Sequence, residues 1–302
     1  MAKEKHKLAY ITGGSSGIGL AIARRLVQQG IGVYLFGRDP HKLESAVTQL
    51  RKECEGAFAS GTKNDTGLSQ NSSASEEFPP PIYQHPLDVS DPQQVYTCIP
   101  SCLAESGTPD FLINCAGIAR PGYFEELAPE IFERTIKTNL LGTIHMARAV
   151  FPAMAQQGSG RIINVSSLAG LVGVFGYTAY GASKFGVIGF SETLRAEARR
   201  YGITVQVLCP PDTDTPQLAE ENQYKPPETR RIAGNARLLS PDQVAQRVIA
   251  KLSSSSFYIF ADTESALIYH LHRLFPRLVE RIMDWQIKDV QKTKQAIPSK
   301  EK

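Results

Sequence analysis

A tyrosine and a lysine four residues apart form the pair whose types and spacing could do chemistry. Tyr180 and Lys184 lie at the start of an apolar, helix-compatible run, and residues four apart share one face of a helix. A lysine ammonium beside a phenol favours the phenolate, so we expect Lys184 to lower the pKa of Tyr180. Such a tyrosine can exchange a proton with an oxygen of a bound substrate. Exposed helical pairs have the same spacing, so the interpretation depends on the neighbouring segments.

A strand that ends in two serines is predicted just before this helix. Residues 161–165 (RIINV) form the predicted strand, and Ser166 and Ser167 follow it. Open α/β sheets place their ligands at the carboxyl ends of their strands. We therefore expect a serine hydroxyl here to face the same ligand as the tyrosine.

The N-terminal segment has the order strand, glycine-rich loop and helix. Residues 7–12 predict the strand, residues 13–19 (GGSSGIG) the loop, and residues 20–30 the helix. Small residues let such a backbone approach a pyrophosphate on the helix N-terminus, so we predict a dinucleotide site. A glycine-rich turn without a ligand is the alternative. The predicted contacts are Gly13, Ser15, Ser16, Gly17, Ile18 and Gly19.

The end of the second predicted strand, residues 32–37, indicates which dinucleotide this would be. A fold that binds NAD usually carries an acid there, which holds the ribose 2′-OH. Gly37 stands at that place and Arg38 follows it. Because a guanidinium can pair with a 2′-phosphate, we predict NADPH, with Ser15 as a second contact. Asp39 precedes a proline and is predicted to be a helix N-cap.

Strands and helices alternate through the rest of the chain. Further strands are predicted at 82–89, 109–117, 203–209 and 257–261, and helices at 41–52 and 129–157. The Gly/Ser/Asn-rich segment 56–81 has no periodicity, and it is predicted to be a solvated, mobile surface insertion.

Polar and small residues mark several of these elements. Asp88, at the end of the third strand, is predicted to contact an adenine, with a helix cap as the alternative for which Ser90 competes. Ala116 and Gly117 loosen the end of the fourth strand as if a cofactor passed over it. Asn139 lies among apolar residues of a helix and would need a partner if buried.

Composition excludes several classes of protein. The chain has 302 residues, 42% hydrophobic and 21% charged, which suits one large α/β domain. A net charge of +3 without a dense Lys/Arg run argues against nucleic acid. Five cysteines, without metal-ligand spacing, predict reduced thiols in a cytosolic setting and no metal site. No signal peptide or membrane-spanning run is found, so we expect a cytoplasmic protein that at most touches a membrane surface.

Apolar residues recur at three- and four-residue steps near the C-terminus. The stripe consists of Leu267, Leu271, Leu274, Leu278, Ile282 and Trp285. Pro276 interrupts it and predicts a kink or the start of a second helix. The stripe either packs on the domain or on another subunit, as a homo-oligomer would require, or lies on a membrane near an acyl-chain substrate.

Five motifs in order resemble the classical short-chain dehydrogenase/reductase family. They are Gly13-x-x-x-Gly17-x-Gly19, Asn114-x-Ala116-Gly117, Asn139, Ser167 and Tyr180-x-x-x-Lys184. The resemblance implies a single-domain, Rossmann-like, doubly wound α/β fold with a seven-stranded parallel sheet and a nicotinamide cofactor. We assign residues 1–264 to this catalytic domain and residues 265–302 to an amphipathic helical extension.

The resemblance also implies a role for each motif residue. Tyr180 would donate the proton, and Ser167, which lies thirteen residues before it as is usual in the family, would steady the substrate carbonyl. Lys184 would bind the nicotinamide ribose, and Asn139 would hold a water that links Lys184 to solvent. Thr215 would contact the nicotinamide carboxamide. The other predicted cofactor contacts are Asn114, Pro210 and Thr213.

Residues 210–230, together with the Asn-Cys-Ala-Gly at 114–117, resemble the subgroup that reduces 3-ketodihydrosphingosine with NADPH in sphingolipid synthesis. The predicted substrate is therefore a long-chain 2-amino-3-keto alcohol. Segment 210–230 is predicted to cover the site, and one of its acids could pair with the substrate ammonium; the alternative is that they are only solvated. These acids are Asp212, Asp214, Glu220 and Glu221.

Two other functions remain open. One is reduction of another lipid-like ketone, such as a 3-oxoacyl thioester or a steroid. The other is a non-catalytic NADP(H) sensor on the same fold, against which the intact set of four catalytic-type residues argues.

Overall fold

Seven parallel strands form one sheet in the order β3-β2-β1-β4-β5-β6-β7. The computed structural model describes residues 6–60, 79–234 and 238–296. The strands are β1 Leu8–Thr12, β2 Gly32–Gly37, β3 Ile82–Pro86, β4 Phe111–Asn114, β5 Gly160–Val165, β6 Ile203–Cys209 and β7 Tyr258–Phe260. The predicted seven-stranded, doubly wound α/β fold is confirmed.

Helices cover both faces of this sheet. They are α1 Gly17–Val27, α2 Pro40–Ser60, α3 Pro92–Ser106, α4 Pro129–Ile136, α5 Gly142–Gln157, α6 Thr178–Ala198, α7 Pro216–Glu221, α8 Pro227–Ala233, α9 Pro241–Ala250, α10 Thr263–Leu274 and α11 Pro276–Ala296. Successive side chains of a strand point to opposite faces. On β1, Ala9 and Ile11 accordingly pack in the cluster formed with α1, α2 and α9, whereas Leu8 and Tyr10 pack in the cluster with α3 and α5.

The order of the strands reverses between β1 and β4, which are neighbours at the centre of the sheet. Connections from β1 run toward β3 at one edge, and those from β4 run toward β7 at the other. The loops that follow β1 and β4 therefore diverge and leave a crevice at the carboxyl edge. Ligands of open α/β sheets bind at such a reversal.

The helix predicted over 129–157 is interrupted. α4 and α5 are joined by a π-helical turn, Lys137–Leu141, which accommodates an extra residue in the turn. Asn139 within it has a side-chain amide that accepts from Ile118 N at 2.8 Å and donates to Ile118 O at 2.9 Å. This pairing with a loop outside the helix accounts for the local departure from α-helical geometry.

Two helix caps test the sequence-based assignments. Asp39 Oδ1 accepts from the N–H groups of His41 and Lys42, at 3.0 and 3.1 Å, as predicted for the start of α2. At the start of α3 the N-cap is Asp91, so neither Asp88 nor Ser90 caps that helix.

The predicted insertion at 56–81 is only partly described. Its beginning belongs to α2, which continues to Ser60, so the helix was predicted too short. Residues 61–78 lie outside the described residues.

The C-terminal stripe is divided between two helices, α10 and α11, and the second begins at Pro276 as predicted. Ile268, Val279 and Met283 pack against the cluster around β6 and β7. Leu274 remains 70% exposed and Trp285 61% exposed. The stripe itself therefore faces outward, with only Leu271 half-buried, while neighbouring residues of the same two helices pack on the domain. Within the described ranges, no helix combines the length and the apolar character needed to cross a bilayer.

Candidate active site

Two adjoining cavities open where the strand order reverses. Their volumes are about 410 and about 500 Å³, and both are lined by Gly13, Ser16, Ala116 and Gly117. The loops after β1 and β4 are therefore shared between the two cavities. An extended ligand that crosses this point would contact both.

The loop after β1 depends on glycine. Gly13 and Gly17 have φ angles of 66° and 54°, which L side chains rarely adopt. A Cβ at Gly13 would also lie 3.0 Å from backbone atoms of Ala116. α1 begins at Gly17, and Ser16 at its N-cap makes no side-chain cap hydrogen bond. The first N–H groups of α1 are thus available to an anionic ligand, so the loop fits the predicted pyrophosphate site.

Most of the predicted cofactor contacts line one of the cavities, but Gly19 and Asn114 do not. Position 19 requires a glycine because a Cβ there would clash with the carbonyl oxygen of Gly13. Asn114 stands opposite Asn164 in the sheet, and its amide donates to Asn164 Oδ1 at 2.9 Å. Both residues have structural roles beside the loops, and their contact with the cofactor stays a prediction.

One end of the second cavity is cationic. Arg38 and Lys42 line it together with Ser15, Gly37 and Asp88. Arg38 is exposed and enters no ion pair among the residues that the structure describes. A Cβ at Gly37 would lie 3.3 Å from Ser15 Oγ, so an acid there would crowd the serine.

Asp88 has a local structural role as well as a place in that cavity. Its Oδ1 accepts from Ser90 N at 2.9 Å and from Ser90 Oγ at 2.7 Å. The carboxylate therefore orders the turn after β3, beside the space predicted for the adenine.

The four residues predicted as catalytic come from three different segments. Tyr180 and Lys184 share one face at the start of α6, and Lys184 Nζ lies 5.6 Å from the Tyr180 ring centroid. The Ser167 hydroxyl is within hydrogen-bonding reach of the Tyr180 phenol. Ser166 is buried and donates to Lys184 O at 2.9 Å, which leaves Ser167 as the serine beside the tyrosine.

Asn139 lies behind this group. Its Nδ2 donates to Ser183 Oγ at 3.0 Å, and that hydroxyl donates to Tyr180 O at 2.6 Å. A Cβ at Gly117 would lie 3.4 Å from both Asn139 Oδ1 and Lys184 Nζ. The π-helical turn therefore brings Asn139 close to the lysine and supports the backbone of the tyrosine.

The electrostatics of this site differ from the sequence-based expectation. Burial raises the pKa of Tyr180, and the nearby carboxylates of Glu221 and Asp212 raise it further, although the Ser167 hydrogen bond acts to lower it. The expectation of a lowered Tyr180 pKa is therefore wrong for this state. Burial also lowers the pKa of Lys184 to about 8, and Lys184 Nζ donates to Val165 O at 2.8 Å.

The segment that follows β6 covers the site, and two short helices, α7 and α8, form within it. Pro210, Thr213 and Thr215 line the first cavity, the one of about 410 Å³. Thr215 Oγ accepts from Leu218 N at 3.2 Å and so caps α7. Its Cγ2 is 3.1 Å from where a Gly17 Cβ would stand, so this segment reaches the glycine loop.

Two of the four acids in this segment face the first cavity. Asp212 and Glu221 line it, whereas Asp214 and Glu220 are exposed to solvent outside it. Asp212 pairs with the buried Lys225 Nζ at 2.9 Å. The two contacting groups therefore form a neutralised pair.

Glu221 is buried among neutral groups. Its carboxylate accepts from Tyr177 OH at 2.7 Å and from Gln217 Nε2 at 2.8 Å. Burial raises its pKa, whereas these two hydrogen bonds and the charge of Lys225 lower it. Glu221 is thus a carboxylate without a directly bonded cation in the described part of the chain.

Apolar side chains also line the first cavity, the one of about 410 Å³. They include Val172, Val174, Ile232, Ile268, Val279 and Met283. Ile268 belongs to α10, Val279 and Met283 belong to α11, and Ile232 belongs to α8, which α11 packs against. The C-terminal helices therefore contribute to the cavity and end in the exposed apolar stripe.

Several lining residues were missed in the sequence. Lys42 lies in the first turn of α2, four residues after Arg38, and that spacing could have indicated a second cation. Tyr177 lies three residues before Tyr180, and its ring centroid is 5.5 Å from that of Tyr180. No local signal placed Lys225, α10 or α11 beside the site, because only the fold brings them there.

Comparisons with known proteins agree with this geometry. A family model of short chain dehydrogenases matches residues 7–77 and 62–226. The 3-ketodihydrosphingosine reductase of Bos taurus is 38% identical over 248 residues, which cover 82% of this chain and 68% of that protein. The enzyme of the same name from Dictyostelium discoideum is 36% identical over 270 residues, 88% of this chain and 77% of that protein.

Solved structures share the fold. A short-chain dehydrogenase from Sphingobium yanoikuyae in complex with NADPH has a TM-score of 0.69 at 24% identity, and 98% of each chain is covered. A short chain dehydrogenase/reductase from Burkholderia phymatum in complex with NAD has a TM-score of 0.73 at 24% identity, covering 92% of this chain and 96% of that one. With these matches, the ordered motifs and the doubly wound sheet, the chain belongs to the short-chain dehydrogenase/reductase family and is an oxidoreductase.

Proposed function

We propose that this protein reduces the ketone of 3-ketodihydrosphingosine to give dihydrosphingosine, with NADPH as the cofactor. The carrying observation is one cavity that is lined by Ser167 and Tyr180, by a buried carboxylate, Glu221, and by apolar side chains. The substrate has a ketone, an adjacent amine and a long alkyl chain, and each would meet a matching part of this cavity. The names and identities of the two relatives support the same substrate class.

The proton would come from Tyr180. Its raised pKa keeps the phenol protonated at neutral pH, as a donor requires. Ser167 would hold the substrate oxygen beside that phenol. Lys184 has a pKa of about 8. At a pH below that value its ammonium would carry a charge that favours the phenolate left after proton transfer. Asn139 would fix the backbone of Tyr180 through Ser183 and lie close enough to Lys184 to order a bridging water.

The cofactor would span both cavities. NADPH supplies the hydride when it is bound. The glycine loop and the N-terminus of α1 would hold its pyrophosphate, and Thr215 and Lys184 would face its nicotinamide half. Arg38, Lys42 and Ser15 would surround the 2′-phosphate, where an acid typical of NAD-binding folds is replaced by Gly37. The preference for NADPH over NADH rests on this cationic end.

The exposed part of the C-terminal stripe would lie on a membrane surface. Leu274, Phe275 and Leu278 are 70%, 57% and 48% exposed, and Arg273 and Arg277 stand beside them. This combination suits the interface of an anionic bilayer. Because Val279 and Met283 on α11 also line the cavity, a lipid substrate could pass from the bilayer surface to the site. A homo-oligomer that buries the same stripe is the competing arrangement.

Oxidation of NADPH in the presence of 3-ketodihydrosphingosine tests the proposal directly. We expect turnover with this substrate that is lost in Tyr180→Phe, while NADPH binding by the variant stays close to that of the original chain, because the ring is kept and only the donor is removed. A 3-oxoacyl thioester and a steroid ketone serve as comparison substrates. Higher kcat/KM with either of them would replace the proposed substrate, and equal turnover by Tyr180→Phe would remove Tyr180 as the donor.

A further inference from the structure

Two thiols and an imidazole meet where α3 passes the end of edge strand β3. Cys98 and Cys102 lie one turn apart on α3, and their sulfurs are 3.5 Å apart. The ligand atoms of His85, Cys98 and Cys102 all lie within 4.8 Å of one another. The sequence showed no metal-ligand spacing because the third group comes from β3, and only the fold brings it to the helix.

We propose that His85, Cys98 and Cys102 form a zinc-binding site. In tetrahedral zinc sites the Zn–S distance is about 2.3 Å and the Zn–N distance about 2.0–2.1 Å. Two ligating sulfurs are then about 3.8 Å apart, a few tenths of an ångström from the separation of the two thiols here. Three protein ligands leave the fourth position to a water molecule or another group.

The surroundings suit a thiophilic cation. Cys102 is buried and Cys98 partly buried, while His85 is exposed, so an ion can enter from solvent on the histidine side. The Tyr34 hydroxyl donates to Glu105 Oε2 at 2.8 Å. The Glu105 carboxylate would add negative charge near the ion.

The types of ligand indicate the metal. Zinc binds thiolate, and each thiol that is protonated releases its proton when the metal binds. Soft thiolate ligands with an imidazole favour zinc over magnesium or calcium.

The site would join β3 and α3, the two elements on either side of a turn that lines the second cavity. β3 is at the edge of the sheet and pairs with β2, and the chain continues from it into Leu87 and Asp88, which line that cavity. A metal held by β3 and α3 together would restrain this edge. Zinc is therefore expected to raise the melting temperature of the full chain, whatever its substrate.

The test uses the reduced, metal-free full chain, titrated with Zn²⁺ in competition with a chromogenic chelator. We expect one equivalent of Zn²⁺ with submicromolar affinity, and a thiolate-to-metal charge-transfer band when Co²⁺ replaces it. His85→Ala should weaken Zn²⁺ binding by at least about tenfold, and Cys98→Ser should abolish most of the band. The control, His41→Ala, removes another exposed histidine, which lies on α2. It should leave the Zn²⁺ affinity and the Co²⁺ charge-transfer band unchanged.

Two results would overturn the proposal. One is the absence of Zn²⁺ binding by the reduced full chain at about ten micromolar metal, well above the expected dissociation constant. The other is undiminished binding in both His85→Ala and Cys98→Ser, which would place the ion elsewhere. The buried Cys102 is left unchanged, and circular dichroism of the two variants checks that they are folded.

Discussion

Tyr180 and Lys184 each show a pKa set mainly by burial. Burial and the nearby Glu221 and Asp212 raise the pKa of the phenol, so the charge of the lysine does not dominate as its spacing suggested. Burial also lowers the pKa of the lysine to about 8. The two shifts leave a protonated phenol beside a lysine that is charged only below that pH, which is the arrangement a proton donor needs.

The pH dependence of reduction should follow Lys184. Below about pH 8 its Nζ is charged and can stabilise the phenolate that forms as Tyr180 gives up its proton; above that pH the charge is lost. We therefore expect kcat/KM for the ketone to fall as the pH rises through about 8, because that ratio reports groups of the free enzyme. Measurement of kcat/KM for the ketone over a range from about pH 6 to about pH 10 shows whether this fall occurs.

The variant Lys184→Arg tests whether Lys184 causes this fall in kcat/KM. A guanidinium stays protonated over the whole range, so the fall near pH 8 should disappear even if overall turnover drops with the changed contact to Val165 O. The same fall in the variant would assign it to another residue.

We propose that Arg38 sets the preference for NADPH over NADH. Its replacement, Arg38→Asp, removes a charge-assisted pair and adds repulsion toward a 2′-phosphate. We expect the dissociation constant of NADPH to rise roughly 10- to 100-fold, corresponding to about 1.5–3 kcal/mol, while that of NADH changes little. Fluorescence titration with both cofactors measures this.

Arg148→Asp is the matched control for that change. Arg148 is exposed on α5 and lines neither cavity, so the variant should bind both cofactors as before. If Arg38→Asp also leaves NADPH binding unchanged, Lys42 and Ser15 carry the selectivity.

At the scale of elements, the sequence predicted what depends on local pattern. The strand, glycine loop and helix at residues 7–30, the cap at Asp39 and the helix start at Pro276 follow from residues adjacent in the chain, and the structure has them. The π-helical turn at Asn139 does not, because it depends on a hydrogen bond to Ile118 from a separate loop. The contribution of α10 and α11 to the cavity likewise depends on tertiary packing.

The segment with α7 and α8 places one acid where the substrate ammonium would lie. Glu221 is buried, faces the cavity and has only neutral hydrogen-bond partners, whereas Asp212 already contacts Lys225. An ammonium beside Glu221 would be held in a site from which water is largely excluded, which strengthens the attraction. Of the acids in this segment, we therefore assign substrate recognition to Glu221.

Glu221→Gln should lower kcat/KM for 3-ketodihydrosphingosine by about 1–3 kcal/mol in transition-state binding. The loss should vanish with the same ketone lacking its amine. Steady-state kinetics on the two substrates separates charge recognition from a general effect on the cavity. Glu220→Gln changes the neighbouring acid, which faces solvent, and should affect neither substrate; equal losses of the Glu221 variant on both would show that the segment recognises chain shape.

Across the whole molecule, both cavities lie at the reversal of strand order between β1 and β4. Arg38 and Lys42 line one of them. The Ser167–Tyr180–Lys184 group lines the other, together with Val279 and Met283 of α11. A polar cofactor and a lipid ketone could therefore meet at the same group.

Substitutions on the outward face of α10 and α11 test whether these two helices meet a membrane. Leu274→Glu combined with Leu278→Glu replaces two apolar side chains that are 70% and 48% exposed, so folding should be preserved. If the stripe enters an anionic bilayer, the bilayer buries these two leucines. Their loss should then lower the partition coefficient to anionic vesicles by at least about tenfold. Turnover of a short, water-soluble ketone should stay the same.

Phe124→Glu is the control for this surface. Phe124 is 67% exposed and lines neither cavity, so its replacement should leave vesicle binding intact. Light scattering on the same proteins tests the competing arrangement, a homo-oligomer that buries the stripe. The stripe joins subunits if the original chain is an oligomer, the double variant is a monomer, and both bind vesicles weakly. Only a drop in vesicle binding without a change of mass supports a membrane surface, because an apolar face buried between subunits would not be open to lipid.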